Sequence, residues 1–165
     1  MNQTVETVFP DIAIPSPTYS VAQAPDKDIY IGTESNGLYI YSENWKLKKH
    51  VPIDGIIATI LPDNNGDIWL GLDETGICLF NKNKQTFTWL HKDNTNLNNN
   101  SIRTFVSYGD SSILVGTFRG LNILNKKELT ITPANINIAG KGGLSHYSIH
   151  SMLIDKDQTL WIGTY

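Results

Sequence analysis

The sequence predicts an all-β fold made of repeated four-stranded antiparallel sheets, and three observations lead to this prediction. First, a short apolar strand that ends in glycine occurs four times, with the glycine at Gly32, Gly71, Gly116 and Gly163. Second, these glycines recur at intervals of about forty residues, which is the period of a blade repeat. Third, no long stretch shows the 3.6-residue period of an amphipathic helix. Together they predict a fragment of a β-propeller with about three and a half blades.

The residue pattern places the blades along the chain. The expected blades cover residues 18–51, 56–91 and 101–133, and an incomplete blade covers residues 148–165. Turns of about four residues join the strands, so neighbouring strands are antiparallel, because a parallel connection needs about a dozen residues or more. Before the first blade, residues 5–14 are expected to form an edge strand, since proline such as Pro10 is tolerated at a sheet edge but not in a central strand.

Both faces of the expected sheets are apolar. Side chains alternate between the two faces of a strand, and segments such as 68–70 and 77–80 carry apolar residues on both. A sheet of this kind must be covered on both sides. The sequence offers no helix for this purpose, so neighbouring blades are expected to cover one another. Trp69, Trp161 and Tyr30 share one repeat position and are expected to pack between blades.

Composition excludes several classes of partner. The net charge is −3 and the 13 Lys and Arg residues are scattered, so no nucleic acid is expected to bind. The single cysteine, Cys78, excludes an internal disulfide and argues against a metal cluster. No apolar run approaches the roughly 20 residues of a membrane helix, so no membrane contact is expected within this segment. No cofactor is expected.

Residues 63–71, with Gly66, Asp67 and Trp69, followed by the second glycine segment 76–81, resemble the two-component regulator propeller repeat. Segments 87–105 and 143–149 resemble the connector between blades in that family, and residues 160–164 repeat its signature. The resemblance covers residues 19–165. The third repeat departs from the pattern, because Leu114 stands in place of the tryptophan.

This resemblance implies a function. Repeats of this family build the extracytoplasmic sensor region of bacterial hybrid two-component proteins, in which a membrane helix and a histidine kinase follow the propeller. Many of these sensors respond to oligosaccharides. By resemblance, the chain is expected to be a periplasmic, non-catalytic sensor fragment that binds an oligosaccharide. Neither an export signal nor a membrane anchor is found in the sequence itself.

Candidate ligand-binding residues lie on the face that is expected to carry the longer loops. In a propeller, the connectors between blades and the turns between second and third strands share one face, and loops on a rigid scaffold often carry function. Five residues on this face are selected for ligand binding, namely Arg119, Phe118, Glu74, Asp73 and His91. No catalytic and no metal-binding residue is assigned.

Several other motifs have both a functional and a structural interpretation. The acidic turn 63–67 with Glu74 resembles a calcium loop by count, but the strand between them favours a hairpin turn. His146 and His150 have the spacing of two zinc ligands but lack a third. Trp45 and Trp89 could each carry a sugar ring or pack at a sheet edge. The asparagine-rich run 94–100 could contact a ligand or serve as a polar connector.

Two alternative functions remain open. A propeller enzyme acting on polysaccharide, a glycosidase or lyase, would need paired carboxylates near the axis, and the inner-strand segments 20–23, 57–61, 103–107 and 150–153 contain none. A protein-interaction scaffold would bind its partner without saccharide. Because an incomplete last blade leaves an open strand edge, self-association of two chains through their blade edges is also expected.

Overall fold

The computed structural model describes residues 13–135 and 143–165. Within these ranges every regular secondary-structure element is a β-strand. The strands form three four-stranded sheets and one two-stranded sheet. Each sheet is called a blade here and is numbered in chain order. No helix in the described part of the chain is long and apolar enough to cross a membrane. The predicted all-β propeller fragment is confirmed.

Within each blade, every strand pairs antiparallel with the next strand in sequence. Blade 1 contains β1 (Thr18–Gln23), β2 (Ile29–Thr33), β3 (Leu38–Tyr41) and β4 (Leu47–Val51). Blade 2 contains β5 (Ile57–Pro62), β6 (Asp67–Leu72), β7 (Gly76–Asn81) and β8 (Thr86–Leu90). Blade 3 contains β9 (Ile102–Tyr108), β10 (Ser112–Thr117), β11 (Gly120–Asn125) and β12 (Thr130–Pro133). Blade 4 contains β13 (Ile149–Ile154) and β14 (Leu160–Thr164).

The edge strand predicted at residues 5–14 falls mainly outside the described residues, since the description begins at residue 13. The next residues, 13 and 14, are not in a strand. The first strand of each blade is the inner one. β1 contacts β5, β5 contacts β9 and β9 contacts β13. The four inner strands therefore stand side by side, as they do around the axis of a propeller.

The apolar faces pack between blades, as the sequence predicts. One core cluster joins Leu38 and Ile40 of blade 1 to Ile68, Leu70 and Cys78 of blade 2. A second cluster joins blade 2 to blade 3 through Trp69, Ile77, Ile113 and Val115. A third joins blade 3 to blade 4 through Leu114, Leu121 and Ile149. Each fully buried side chain of this size contributes about 1.5–3 kcal/mol, so the junctions between blades hold the fold together.

The aromatic repeat position behaves as expected in two blades and not in the last. Tyr30 and Trp69 are fully buried between blades. Trp161 is 60% exposed, so its predicted burial between blades is wrong for the described residues, because no blade covers that side of blade 4. Trp89 is half-buried and packs against the core between blades 1 and 2. Trp45 is half-buried beside Tyr41, with ring centres 6.2 Å apart, so both outer tryptophans pack at sheet edges.

A charged network crosses the junction between blades 1 and 2 on the side of the short acidic turns. Lys82 donates to Asp26, to Asp28 at 3.1 Å and to the Tyr30 hydroxyl at 3.4 Å. Asp28 is buried and also accepts from Lys48 at 2.5 Å. Burial opposes the charge on Lys82, but these hydrogen bonds raise its pKa overall. The bond from Lys82 lowers the pKa of Asp26, so Lys82 and Asp26 are both charged at neutral pH.

Candidate functional site

Each inner strand carries a β-bulge close to its start. The pairing with the second strand shifts by one residue at this point, between Thr18 and Ser20 in blade 1 and at the corresponding place in the other three blades. The residues left out of the pairing are Tyr19, Ala58, Arg103 and His150. A bulge redirects the side chain that it leaves unpaired and is common beside functional sites. The fold therefore presents one redirected side chain per blade at the same level.

This level lies on the face formed by the connectors and by the turns between second and third strands. Backbone hydrogen bonds tie those turns to the residue just before the inner strand, from Asp73 N to Ile56 O and from Phe118 N to Ser101 O, both at 3.0 Å. An equivalent bond runs from Glu34 N in blade 1 at 2.9 Å. We call this side of the molecule the connector face. The bulge residues and the turn residues are therefore neighbours on it.

Arg103 is the centre of the candidate site. Its Nη1 lies 3.4 Å from Oδ2 of Asp73, across the junction between blades 2 and 3. Its guanidinium carbon lies 6.0 Å from the ring centre of Phe118. Its Nε is buried and has no hydrogen-bond partner among the described residues. The Arg103 side chain is 31% exposed, and a partly exposed planar guanidinium beside an exposed aromatic ring can bind hydroxyl, carboxylate or sulfate oxygens.

The structure brings together some of the five predicted ligand residues. Asp73 and Phe118 both contact Arg103. Glu74 and Arg119 follow them in the same two turns and are exposed. His91 lies further out, at the end of the outer strand β8, where its Nδ1 is 3.5 Å from a carboxylate oxygen of Asp93. Whether any of the five binds a ligand stays a prediction.

Sequence pattern alone does not reveal Arg103. A search for paired carboxylates passes over it, and the bulge that redirects it becomes visible only in the pairing of β9 with β10. One signal was available. Arg103 is a charged residue at the second position of an inner strand, directly after the buried Ile102. A charged side chain at that place is expected to have a specific partner, because uncompensated charge next to a core is costly.

Blade 4 places aromatic rings and histidines at the same level of the connector face. The ring centre of Tyr165 lies 5.4 Å from that of His150 and 6.0 Å from that of His146. His146 accepts a bond from the backbone N–H of Ser148, and His150 lies 3.0 Å from the Ser148 hydroxyl. Within the described ranges, no group of three or more His, Cys, Asp or Glu could hold a metal ion. The two histidines therefore order the start of β13.

The asparagine-rich connector uses its amides internally. Asn98 Oδ1 accepts from Thr117 Oγ1 and from Asn122 Nδ2, both at 2.8 Å. Asn94 accepts from the backbone of His91 and donates to the backbone of Trp89. Asn99 and Asn100 also accept backbone N–H groups, from Ser101 and Lys92. These bonds favour the interpretation of the run as a polar connector that shapes the site.

A separate cleft lies at the rim between blades 1 and 2. It has a volume of about 360 Å³ and is lined by Pro52, Ile53, Asp54, Thr75, Phe87 and Trp89. Phe87 stacks on Phe80, with ring centres 5.0 Å apart, so its ring is partly engaged in packing. The cleft combines an apolar wall with one carboxylate, but its aromatic rings also serve the core between the blades.

Comparison with known protein families supports the resemblance seen in the sequence. Residues 143–165 match the model of the family described as two component regulator propeller. These residues include the His146–Tyr165 contact and both strands of blade 4. Comparison with curated proteins finds no significant match.

Several solved structures share the fold. The extracellular domain of BT3049 from B. thetaiotaomicron, described as a hybrid two component system, is 29% identical, with a TM-score of 0.66 over 89% of this chain and 19% of that one. The extracellular domain of BT4673 from the same organism, described in the same way, is 22% identical, with a TM-score of 0.71 over 89% and 20%. This chain thus spans about one fifth of those two structures.

A third similar structure comes from a different kind of protein. The β-propeller domain of Cps50 (Swd1) from Myceliophteria thermophila is 12% identical, with a TM-score of 0.68 over 89% of this chain and 49% of that one. At this identity the likeness concerns the fold alone. The family match and the bacterial neighbours together confirm the predicted resemblance to two component regulator propeller repeats.

Proposed function

We propose that this chain is a non-catalytic part of the extracytoplasmic sensor region of a bacterial hybrid two-component regulator. Two findings support this proposal, the propeller repeat at residues 143–165 and the similarity to extracellular domains described as hybrid two component systems. A periplasmic location follows from the proposal. The chain corresponds to about one fifth of those structures, so a histidine kinase would belong to the whole regulator.

The ligand in this proposal is an oligosaccharide that binds on the connector face at Arg103. The observation that carries it is the bulged Arg103, which is held between Asp73 and Phe118 with its side chain 31% exposed. Guanidinium N–H groups donate to sugar hydroxyl and carboxylate oxygens. The ring of Phe118, 46% exposed, offers an apolar surface for the C–H face of a sugar ring. Arg119, which is exposed in the same turn as Phe118, carries a second positive charge on this face.

Calorimetric titration of the full chain with a panel of neutral and acidic oligosaccharides tests this site. We expect at least one of them to bind, and Arg103→Ala to weaken that binding by about 10- to 100-fold, because a hydrogen bond to a charged group contributes about 1.5–3 kcal/mol. Phe118→Ala should weaken it less. Lys84→Ala is the matched control, because Lys84 lies in the turn between β7 and β8, the third and fourth strands of blade 2, and this turn is not part of the connector face. Unchanged binding by the Arg103 variant would refute the site.

A propeller enzyme acting on polysaccharide is the rival interpretation. On the connector face, Asp73 lies beside the inner strand β9, and its partner there is Arg103 instead of a second carboxylate. Glycoside hydrolysis needs two carboxyl groups flanking the scissile bond. Incubating the chain with the same oligosaccharides and measuring reducing ends should therefore show no product. Release of product would overturn the non-catalytic proposal.

A further inference from the structure

The turn between β6 and β7 borders two of the features described above. Asp73 at its start pairs with Arg103. Thr75 at its end lines the cleft at the rim between blades 1 and 2, which we call the rim cleft. The Thr75 hydroxyl donates to the backbone oxygen of Asp73 at 3.3 Å. Two residues of extended chain span at most about 7 Å, so the residues that border the Arg103 site and the rim cleft lie within one turn of each other.

The connector from blade 1 to blade 2 forms part of the wall of the rim cleft. The connector residues that line it are Pro52, Ile53 and Asp54. The backbone N–H of Asp73 donates to the backbone oxygen of Ile56 at 3.0 Å. A β-carbon on Gly55, whose φ is 97°, would lie 3.4 Å from Oγ1 of Thr75. The connector and the turn are thus in contact and hydrogen-bonded, which keeps Asp54 and Thr75 in place at the cleft.

Phe87 and Trp89 form the aromatic wall of the rim cleft. They are two residues apart on β8, so their side chains project from the same face of the sheet. Phe87 is 42% exposed, although its ring stacks on Phe80 with ring centres 5.0 Å apart. Trp89 is half-buried against the core between blades 1 and 2. Because packing holds both rings in place, a ligand can bind their outer surfaces without first having to order them.

The rim cleft has the composition of a site for a sugar ring. Its volume of about 360 Å³ lies within the usual range for small-molecule sites. The aromatic rings offer apolar surface to the C–H face of a sugar. The carboxylate of Asp54 accepts hydrogen bonds from sugar hydroxyls, and the hydroxyl of Thr75 can both donate and accept. The described residues that line the cleft include a carboxylate and no cationic side chain, so a neutral sugar fits better than an acidic one, because like charges repel.

We propose that the rim cleft is a second subsite for the oligosaccharide that binds at Arg103, and that the bound chain crosses the turn between β6 and β7. The subsite takes a neutral sugar ring on Phe87 and Trp89, and Asp54 accepts its hydroxyl hydrogen bonds. This inference rests on the function proposed above and adds a length requirement to it. An oligosaccharide too short to cross the turn occupies Arg103 alone. A longer one engages both subsites and binds more tightly, because its second contact is intramolecular.

Calorimetric titration of the full chain with oligosaccharides of increasing length tests the proposal. The neutral probes are malto- and manno-oligosaccharides from the disaccharide to the hexasaccharide, and the acidic probes are oligogalacturonides of the same lengths. We expect affinity to rise with length in a neutral series. Trp89→Phe should weaken the long members by about 2- to 10-fold, the range for a lost aromatic contact, and leave the short members unchanged. Asp54→Ala, at an exposed position outside the core, should show the same selective loss.

Two matched controls accompany these variants. Trp45 is also a half-buried tryptophan next to an outer strand, and Asp110 is an exposed aspartate in the turn between β9 and β10. Neither lines the rim cleft, so Trp45→Phe and Asp110→Ala should keep the full dependence on length. Fluorescence gives a second readout. A long neutral oligosaccharide should shift the emission of Trp89, read as the difference between the unchanged protein and Trp89→Phe, whereas a disaccharide should not.

The outcomes separate this inference from the function on which it rests. If long oligosaccharides bind Trp89→Phe and Asp54→Ala as tightly as the unchanged protein, the rim cleft is not a subsite and the Arg103 site stands alone. An equal loss for short and long members would also overturn the inference, because the variants would then act through the fold. If only the acidic series gains affinity through Asp54 and Trp89, the assigned sugar class is wrong. If no member of any series binds, the proposed function fails and the inference fails with it.

Discussion

Gly71 of blade 2 lies directly against Ile102 of blade 3. A β-carbon on Gly71 would approach Cγ2 of Ile102 to 2.5 Å and Cγ2 of Thr59 to 2.6 Å. Both neighbours are β-branched residues of inner strands, whose χ1 angles are restricted, so neither can turn away easily. The glycine is therefore required by the distance between two blades and not by a turn, since Gly71 is within the strand β6.

We expect Gly71→Ala to destabilise the protein by about 1–3 kcal/mol, the usual cost of forcing an extra carbon into a packed core. The measurement is urea unfolding followed by far-ultraviolet circular dichroism. Gly109→Ala is the control. A β-carbon there would meet nothing within 4 Å, but its φ of 62° carries a conformational cost of about 1–2 kcal/mol. If the m-value or the native strand content falls in Gly71→Ala but not in Gly109→Ala, the effect lies at the blade junction.

An outcome in which Gly71→Ala is as stable as the unchanged protein would contradict this account of the junction. A second variant tests the reason directly. Ile102→Ala removes the Cγ2 atom that the new β-carbon would strike, although it also creates a cavity. The double variant should therefore be more stable than the sum of the two single changes predicts, because the changes in unfolding free energy are not additive for residues in contact.

The fold could be predicted from the sequence because its determinants are local and repeated. A short piece of strand or turn is specified by each of three features of the second repeat, namely Gly71, the turn at Gly66 and the apolar residues of β6. The four copies of the repeat reinforce this pattern. The candidate site is less local. Asp73 and Phe118 were selected from their place in the turns and their ligand binding stays a prediction, whereas Arg103 depends on a bulge, which has no sequence signature. The exposure of Trp161 likewise depends on which neighbour covers it.

Charge pairing between blades was also invisible in the sequence, because Lys82 and Asp28 are far apart along the chain and meet only when the blades stack. We expect Lys82→Met to destabilise the protein by about 1–3 kcal/mol, since it leaves the buried Asp28 with one cationic partner fewer. Lys27→Met is the matched control. The side chains of Lys27 and Glu43, which form an ion pair, are 68% and 50% exposed. Exposed ion pairs contribute about 1 kcal/mol or less to stability. Equal effects of the two variants in urea unfolding would refute the special role of Lys82.

The same network predicts how stability depends on acid. The hydrogen bond from Lys82 holds the pKa of Asp26 below its unfolded value of 3.8. A carboxyl group whose pKa is lowered by folding stabilises the native state above its unfolded pKa, and this contribution is lost as the pH falls through the lower, folded value. We therefore expect the melting temperature to fall as the pH drops from about 5 to about 3.

The acid dependence should be smaller in Lys82→Met, because Asp26 then loses the partner that lowers its pKa. Differential scanning calorimetry from pH 3 to pH 7 measures both proteins under the same conditions. Lys27→Met again serves as the control and should keep the slope of the unchanged protein. If the Lys82 variant keeps that slope as well, Asp26 is not coupled to Lys82 in solution.

The connector between blades 2 and 3 makes a last prediction. Asn98 Oδ1 accepts two hydrogen bonds, from Thr117 Oγ1 and from the fully buried Asn122, and its backbone N–H donates to Asn122 Oδ1. Removing the side chain leaves a buried amide donor without its acceptor, which costs about 1–3 kcal/mol. We expect Asn98→Ala to lose about that much stability, and Asn98→Asp to lose less because it keeps the acceptor. Asn96→Ala, at an exposed position of the same run, should be nearly neutral.

The same connector should also affect binding. Because the turn after Thr117 carries Phe118 and Arg119, Asn98→Ala should also weaken the binding of any oligosaccharide at Arg103. If instead Asn96→Ala and Asn98→Ala weakened saccharide binding equally with no loss of stability, the run would be a ligand contact and not a connector.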